Sequence, residues 1–250
     1  MIKYMFMVLL SIHVLGDFYF QTEVIAQKKK EKLEWVLLHS VIYAAISGVL
    51  FLIVMPGLPN TYLWTFVISH GIVDILKFFV CNKFVKVNKR VCSNKNIFLI
   101  DQIIHLIIIV FIAYDIRGCS IEALFSARIN HLFATVGISG AIVLSWTVKM
   151  LLLHKPANIF ISNVLEQYKP QEYKCDMVKD KNAGRFVGTL ERIIMTIFIT
   201  MGQYSVVGLV LTAKSITRYN RISEDPEFAE YYLLGTLLST ICAICISILF

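Results

Sequence analysis

The segment EWVLLHSVIYAAISGVLFLIVM (34–55) decides the fold class, because it carries a single formal charge, on Glu34 at its first position. A helix needs about 20 largely apolar residues to cross the hydrocarbon core of a bilayer, and this segment meets that requirement. Across all 250 residues, hydrophobic side chains make up 57% and charged ones 16%. Soluble domains carry about 45–50% apolar and 25% charged residues. The sequence therefore predicts an all-α integral membrane protein.

Seven segments in all are long and apolar enough to be transmembrane helices. They are residues 4–24, 34–55, 62–80, 97–114, 131–153, 188–212 and 230–250. We expect the first to be retained rather than cleaved as a signal peptide, because Asp17 interrupts its apolar run. The sixth is less regular, since Glu191 and Arg192 lie in its first turn. The predicted architecture is a helical bundle of about seven spans.

The distribution of basic residues predicts the orientation of this bundle. They are concentrated after the first and third segments: Lys28, Lys29, Lys30 and Lys32, then Lys83, Lys86, Lys89, Arg90 and Lys95. Short loops rich in Lys and Arg remain in the cytoplasm. We therefore expect the N-terminus outside and the C-terminus in the cytoplasm. The same rule accounts for the net charge of +7, so no nucleic-acid partner is expected, and the oligomeric state stays open.

The longest polar stretch, residues 154–187, divides the chain into three predicted parts. The first is a membrane bundle of five spans, residues 1–153, and the last is a two-span segment, residues 188–250. Between them lies a cytoplasmic connector in which ANIFISNVLEQY (157–168) has the pattern of a short amphipathic helix on the inner leaflet.

Three histidine–aspartate pairs lie inside the predicted spans, and the members of each pair are four residues apart. They are His13 and Asp17, His70 and Asp74, and Asp101 and His105. Residues at i and i+4 share a helix face, so each pair directs two potential metal ligands the same way. His39 adds an imidazole from the second span. With a rise of about 1.5 Å per residue and the predicted orientation, all seven fall in one layer of the cytoplasmic half.

A shared metal site explains why so many ionisable side chains lie within the membrane. An ionised carboxylate at the centre of a span costs about 2.5–3.5 kcal/mol on insertion scales, and a divalent cation offsets that charge. Imidazole and carboxylate are typical ligands of zinc, manganese and iron, and seven donors exceed the needs of one tetrahedral ion. We therefore predict one or two divalent ions, with Asp74, Asp101 and His105 as the catalytic residues.

The alternative is that the pairs are hydrogen bonds between helices, each worth about 0.6 kcal/mol. Three pairs at one depth, with His39 beside them, favour a metal or proton site over that interpretation.

Four further charged residues are predicted to bind substrate. Lys77 lies one turn past Asp74, where it either holds a substrate phosphate or extends to the inner interface. The motif GRFVGTLER (184–192) supplies Arg185, Glu191 and Arg192. These residues are either a clamp for a lipid headgroup or a Glu/Arg pair that caps a helix.

The outer halves of two spans bear on the choice between transport and catalysis. VLFLIVMP (49–56) and LIIIVFIAY (106–114) have no polar side chain except the terminal Tyr114. A conduction path needs polar groups on both sides of the site. The sequence therefore favours hydrolytic or binding chemistry at a site open only to the cytoplasm.

Several motifs carry a resemblance to a known family. HVLGDFYFQ (13–21), HS (39–40), SHGIVDILK (69–77) and DQIIH (101–105) resemble the bacterial membrane family catalogued as domain of unknown function 3307. GRFVGTLER, AKSITR (213–218) and FAEYYLLGTLLS (228–239) resemble its longer members. The resemblance implies a bacterial cell membrane and no particular activity. A more distant similarity of pattern, to membrane-bound metal-dependent hydrolases of the YdjM type, implies hydrolase chemistry by analogy.

Together these features predict a membrane-embedded metal-dependent hydrolase that acts at the cytoplasmic leaflet on a phosphoester or lipid-linked substrate. Membrane lipid is the expected partner. One alternative is a cation, proton or metal-ion transporter that uses the same residues. The other is a non-catalytic membrane partner protein in which the pairs are structural.

Overall fold

The computed structural model describes residues 2–84, 94–116, 127–170 and 181–250. Within these ranges all regular structure is helical. Lys86, Lys89 and Arg90, which contribute to the predicted orientation, lie outside the described residues, as do residues 171–180 of the predicted connector.

The chain divides into two compact units, Met1–Val148 and Lys149–Phe250. The first contains α1 (Ile2–Val14) with a π-helical turn (Leu15–Tyr19), α2 (Glu23–Lys28), α3 (Leu33–Val54), α4 (Asn60–Phe84), α5 (Asn94–Asp115), α6 (Ala127–Val136) and most of α7 (Gly140–Leu153). The second contains α8 (Lys155–Leu165) with a 3₁₀ turn (Glu166–Tyr168), α9 (Lys181–Thr200), α10 (Ser205–Ile216), α11 (Tyr219–Glu224) and α12 (Pro226–Leu249). We refer to them as unit 1 and unit 2.

Five helical segments are long and apolar enough to cross a membrane. They are Ile2–Tyr19, Leu33–Val54, Asn60–Asn82, Asn96–Asp115 and Pro226–Leu249. Large apolar side chains on them face outward, such as Leu52, which is 71% exposed, and Phe111, which is 68% exposed. Exposed apolar surface on long helices is what a lipid-facing protein requires. The protein is therefore a helical membrane protein, and these five segments correspond to the first four predicted spans and the last.

The fifth predicted span is interrupted at Gly137, between α6 and α7. The φ angle of Gly137 is +71°, a left-handed conformation that glycine adopts without steric cost. The amide of Ile138 donates to the carbonyl of Phe133 at 3.0 Å, and the amide of Gly137 donates to that of Ala134 at 3.2 Å. These two bonds form a Schellman motif, which ends a helix. The segment 131–153 is thus two helices.

The sixth predicted span is interrupted in the same way at Gly202, whose φ angle is +74°. Beyond this turn the chain folds back, because Lys214 of α10 donates to Glu191 of α9 at 2.6 Å. In one continuous helix these residues would stand about 35 Å apart. The prediction of a single helix over 188–212 is therefore wrong, and α9 and α10 form a hairpin. The total of seven spans stays a prediction.

The predicted amphipathic segment forms α8, which packs within unit 2. Its Ala157 and Leu165 are buried. At Gly235 of α12, an added Cβ would lie 3.2 Å from Leu165 Cδ1, so the two helices are in close contact. The predicted division into three parts treats residues 154–187 as a separate connector, and it stays a prediction.

One apolar core joins the four long helices of unit 1. Its members lie before His13 on α1, from Tyr43 onward on α3 and in the turn after it, before His70 on α4, and after His105 at the end of α5. They include Met5, Leu9, Ile12, Phe51, Met55, Phe66, Ile109, Ile112 and Ala113. We call this set the unit 1 core. Because its members are in mutual contact, they fill one side of the layer in which the histidines and aspartates lie.

Candidate metal centre

All seven predicted metal ligands come together in unit 1. They are His13 and Asp17 from α1 and its π-helical turn, His39 from α3, His70 and Asp74 from α4, and Asp101 and His105 from α5. We call them the His/Asp cluster. All are buried, from His39 with 0% exposure to Asp17 with 8%. Side chains from four helices thus form one polar site inside an apolar bundle.

The cluster contains three groups whose potential ligand atoms lie within 4.8 Å of one another. The groups are His13, His70 and His105; Asp17, His39, His70 and Asp74; and Asp17, Asp101 and His105. Because Asp17, His70 and His105 each belong to two groups, the three groups are continuous. These groups could hold a metal ion, and mixed imidazole and carboxylate donors suit zinc, manganese or iron.

Several ligand atoms in the cluster lack hydrogen bonds although they are buried. Within the described part of the chain, Nε2 of His70, Nε2 of His105 and Oδ1 of Asp101 make none. The His105 and Asp101 atoms face each other at 3.6 Å. An unsatisfied buried polar group costs about 1–3 kcal/mol, and such groups are rare in folded proteins. Imidazole nitrogens and carboxylate oxygens left free in this way fit a metal cation.

Asp17 is the most connected member of the cluster. It accepts hydrogen bonds from Nε2 of His39 and from Nε2 of Gln102, each at 3.0 Å, and Nε2 of His70 lies 3.5 Å away. Asp17 lies in the π-helical turn, a feature frequently found at functional sites. The residue before it must be glycine, because an added Cβ at Gly16 would lie 2.5 Å from the Tyr43 ring.

Tyr43 orients the imidazoles on the side of the unit 1 core. Its ring stacks on His70 with centroids 3.6 Å apart, and His70 stacks on His105 at 4.5 Å. Its hydroxyl lies 3.3 Å from Nδ1 of His13. Groups that hold ligand rings in place in this way contribute to metal affinity. Sequence reasoning missed Tyr43, although it lies four positions after His39 and therefore on the same helix face.

Two lysines bind the carboxylates of the cluster. Nζ of Lys29 donates to Oδ2 of Asp74 at 3.1 Å. Nζ of Lys77 donates to Oδ2 of Asp101 at 2.7 Å and lies 3.8 Å from Oδ1 of Asp74. Lys77 was predicted as a site residue from the sequence, whereas Lys29 contributed only to the predicted orientation. Nothing in the run of lysines that follows the first span distinguishes Lys29 from its neighbours.

Gln102 is a third residue, after Tyr43 and Lys29, that was not predicted to belong to the site. Besides its bond to Asp17, its Nε2 donates to Oδ2 of Asp101 at 3.4 Å, and its Oε1 lies 3.4 Å from Nε2 of His13. The only sequence signal was its position next to Asp101. Gln102 therefore links ligands from α1 and α5.

The three predicted substrate-binding residues of GRFVGTLER lie in unit 2 and have separate surroundings. Arg185 is exposed, and Glu191 pairs with Lys214. Arg192 is 2% exposed. Its Nε donates to the carbonyl of Leu153 at 2.9 Å, and its other donors reach Asn158, Thr189 and Ser239. Their role in substrate binding stays a prediction.

The contacts of Arg192 indicate a structural role within unit 2. Leu153 is the last residue of α7, so no backbone amide of that helix donates a hydrogen bond to its carbonyl. A cation at a helix C-terminus is favourable because it meets the negative end of the helix dipole. Arg192 thus caps α7 and joins it to α8, α9 and α12 through uncharged acceptors.

Comparison with known proteins identifies one family. A family model with the description "Protein of unknown function (DUF3307)" matches residues 5–134. This range contains the whole His/Asp cluster with Lys29, Tyr43, Lys77 and Gln102. No curated protein and no solved structure matches the chain. The similarity to hydrolases of the YdjM type therefore stays a prediction.

Proposed function

We infer the activity of this chain from its site, because the chain belongs to the DUF3307 family of proteins of unknown function. We propose that the protein is a membrane-embedded metal-dependent hydrolase of phosphoesters. One observation carries this proposal. The His/Asp cluster contains seven buried ligand side chains, and ligand atoms of His70, Asp101 and His105 have no hydrogen bond.

All seven residues of the cluster are proposed metal ligands, and three of them also have a proposed catalytic role. A divalent ion at such a site makes a coordinated water more acidic and neutralises charge that develops on a phosphate. His13, Asp17, His39, His70 and Asp74 are the proposed ligands that hold one or two ions, together with Asp101 and His105. Donors of this type suit zinc, manganese or iron.

Asp74, Asp101 and His105 are the proposed catalytic residues. During hydrolysis a new bond forms between a water oxygen and phosphorus, and the bond between phosphorus and the alcohol oxygen breaks. The proton released by the water passes to the leaving alcohol oxygen. Oδ1 of Asp101 and Nε2 of His105 face each other without hydrogen bonds, so this pair is suited to carry that proton. Asp74 is the member of the cluster that contacts both lysines.

The surroundings of the cluster support a closed site over a conduction path. The unit 1 core fills one side of the layer with apolar side chains such as Leu9, Phe51 and Ile109. An ion or proton pathway would need a continuous series of polar groups there, and the buried Ser47 supplies a single hydroxyl. The alternative of a cation, proton or metal-ion transporter is therefore less well supported.

We place the cluster in the cytoplasmic half of a bacterial cell membrane, with the N-terminus outside, from the basic residues that follow α2 and α4. The hairpin of α9 and α10 affects the other terminus. A hairpin that returns to its starting side removes one crossing from the predicted seven, which moves the C-terminus outside. Active alkaline phosphatase fused to the C-terminus would support this even number of crossings. An inactive alkaline phosphatase fusion, together with fluorescence from a reporter that folds in the cytoplasm at the same terminus, would instead support seven crossings.

The experiment that tests the proposed activity measures inorganic phosphate released from phosphatidate by the purified protein with Mn²⁺ or Zn²⁺. We expect chelator to abolish release, and Asp101→Asn to lower it by more than about 100-fold, because this change removes a ligand and the proton carrier together. An ion flux into proteoliposomes that Asp101→Asn abolishes, without any hydrolysis, would instead establish the transporter.

A further inference from the structure

The His/Asp cluster is most accessible on the side where its two lysines lie. The side chain of Lys77 is 27% exposed and that of Lys29 is 12% exposed. The ligand side chains of the cluster are only 0–6% exposed. A molecule that approaches the ligands from this side meets Lys29 and Lys77 first.

The charges of the site require an anion once metal is bound. Three carboxylates face two ammonium groups, which leaves one negative charge. A single divalent ion converts this into one positive charge, and a pair of ions converts it into three. Buried charge without compensation is costly, so a metal-loaded site favours a ligand with more than one negative charge.

We propose that Lys29 and Lys77 form the anion-binding part of the site, and that it accepts a phosphate group with two or more negative charges, a phosphomonoester or a diphosphate, in preference to a phosphodiester. This inference rests on the proposed function, because it assumes that metal occupies the His/Asp cluster.

The contacts of the two lysines explain how they become available to a phosphate. Lys29 binds Oδ2 of Asp74, an oxygen that also lies 3.5 Å from Nε2 of His39, and Asp74 is a member of one candidate ligand group. A metal that takes this oxygen releases the ammonium group of Lys29. Lys77 binds Oδ2 of Asp101, whereas Oδ1 of the same carboxylate is free to bind metal. Lysine supplies three donors as a compact charge, as phosphate recognition requires.

Both ammonium groups lie beside a single carboxylate. Lys29 contacts Oδ2 of Asp74 at 3.1 Å, and Lys77 lies 3.8 Å from Oδ1. A phosphate bound next to Asp74 can therefore receive hydrogen bonds from both lysines.

The connector between α2 and α3 holds Lys29 toward the cluster. The side chain of Thr22 caps α2 by accepting from the amide of Ile25 at 3.3 Å, and Ile25 is buried. Nζ of Lys28 lies 4.5 Å from the centre of the Trp35 ring. Lys28 and Lys30, on either side of Lys29, are exposed. Lys29 is thus oriented differently from its neighbours, and Lys30 provides a matched control.

The test measures anion binding to the metal-loaded full chain by calorimetry, with inorganic phosphate and dimethyl phosphate as probes. We expect Lys29→Gln and Lys77→Gln each to weaken phosphate binding about tenfold, as loss of one charge-assisted hydrogen bond predicts. Lys30→Gln should leave it unchanged, and Lys29→Arg should restore most of it. Dimethyl phosphate, with one charge, should bind at least about tenfold more weakly than phosphate.

Metal content measured on the same samples separates this inference from the proposed function. We expect Lys29→Gln to retain at least as much metal as the wild type, because the lysine competes with the ion for Asp74. Wild-type protein without metal would overturn the proposed function. Metal-loaded variants that bind phosphate as tightly as the wild type would overturn only the role of the lysines. Equal binding of dimethyl phosphate would overturn the preference for multiply charged groups.

Vesicles distinguish the two sources of such a phosphate. If the protein binds phosphatidate vesicles more tightly than phosphatidylglycerol vesicles, and Lys29→Gln weakens this binding, the phosphate belongs to a lipid headgroup. Binding of soluble phosphate without that preference would assign it to a soluble ester. Either result supports the anion site when Lys30→Gln behaves as the wild type.

Discussion

Units 1 and 2 each bury polar side chains between helices, but they differ in which atoms are left without partners. Among the described residues of unit 1 these atoms include imidazole nitrogens of His70 and His105 and a carboxylate oxygen of Asp101, besides the Ser47 hydroxyl and the Gln21 amide oxygen. In unit 2 Arg192 is a buried charge whose Nε and both Nη atoms donate to uncharged acceptors. In the part of unit 2 that the structure describes, the buried side-chain atoms without hydrogen bonds are hydroxyls, as in Thr196 and Thr236.

The difference separates a structural polar network from a binding site. A buried group whose hydrogen bonds are all made contributes to one defined packing of helices. A cluster of strong metal-ligand atoms without partners is unstable unless something binds there. The comparison therefore supports the proposed metal site in unit 1 and a helix-joining role for Arg192.

Loss of a ligand in unit 1 should have the largest effect. We expect His105→Ala to lower phosphate release by more than about 100-fold and to reduce bound metal, because His105 belongs to two of the three ligand groups. Phosphate release and metal content are measured on the same preparation. Full activity in His105→Ala would contradict the proposed difference between a binding site in unit 1 and a structural network in unit 2.

Loss of Arg192 in unit 2 should affect stability instead of chemistry. Arg192→Ala removes the donors to the carbonyl oxygen of Leu153 and to Oδ1 of Asn158. We therefore expect the free energy of unfolding to fall by about 3 kcal/mol. Thermal unfolding in detergent checks the loss, and elemental analysis should show unchanged metal. If Arg192→Ala instead kept its stability and lost its metal, Arg192 would belong to the metal site.

A milder change in unit 1 sharpens the comparison. Tyr43→Phe keeps the ring stacked on His70 and removes only the hydroxyl beside His13. We expect metal affinity to fall about tenfold, the lower end for residues that orient ligands. Competition with a fluorescent chelator measures this affinity. An unchanged affinity would limit the role of Tyr43 to packing.

The corresponding mild change in unit 2 should have the smallest effect. Ser239→Ala removes one acceptor of Arg192, and we expect a loss of about 1 kcal/mol in stability with no change in metal content. Thermal unfolding of the variant beside the wild type tests this. A loss as large as that of Arg192→Ala would mean that Ser239 carries most of the network.

Sequence reasoning identified the parts of unit 1 that follow from local periodicity. The spacing of His13 and Asp17, and of the two similar pairs, indicated shared helix faces, and the apolar runs indicated their spans. Lys29 could not be found in this way, because its contact with Asp74 depends on how the connector before α3 folds. Tyr43 carried the right spacing from His39 but looked like an ordinary apolar-face residue.

The two interrupted spans show a different limit of sequence reasoning. Gly137 and Gly202 lie in apolar surroundings where a glycine is tolerated within a membrane helix. Hydropathy alone does not indicate that either residue has a positive φ angle. The pairing of Glu191 with Lys214 is a long-range contact, and a pattern read along one helix could not predict it.

The measurement that tests the central claim most directly is elemental analysis of the detergent-purified protein, wild type beside Asp74→Ala. A metal site in unit 1 predicts about one to two divalent ions per wild-type chain, as the number of donors suggests. It predicts a substantial loss of metal in Asp74→Ala with unchanged helical content. Wild-type protein of normal helical content that holds no metal would contradict it.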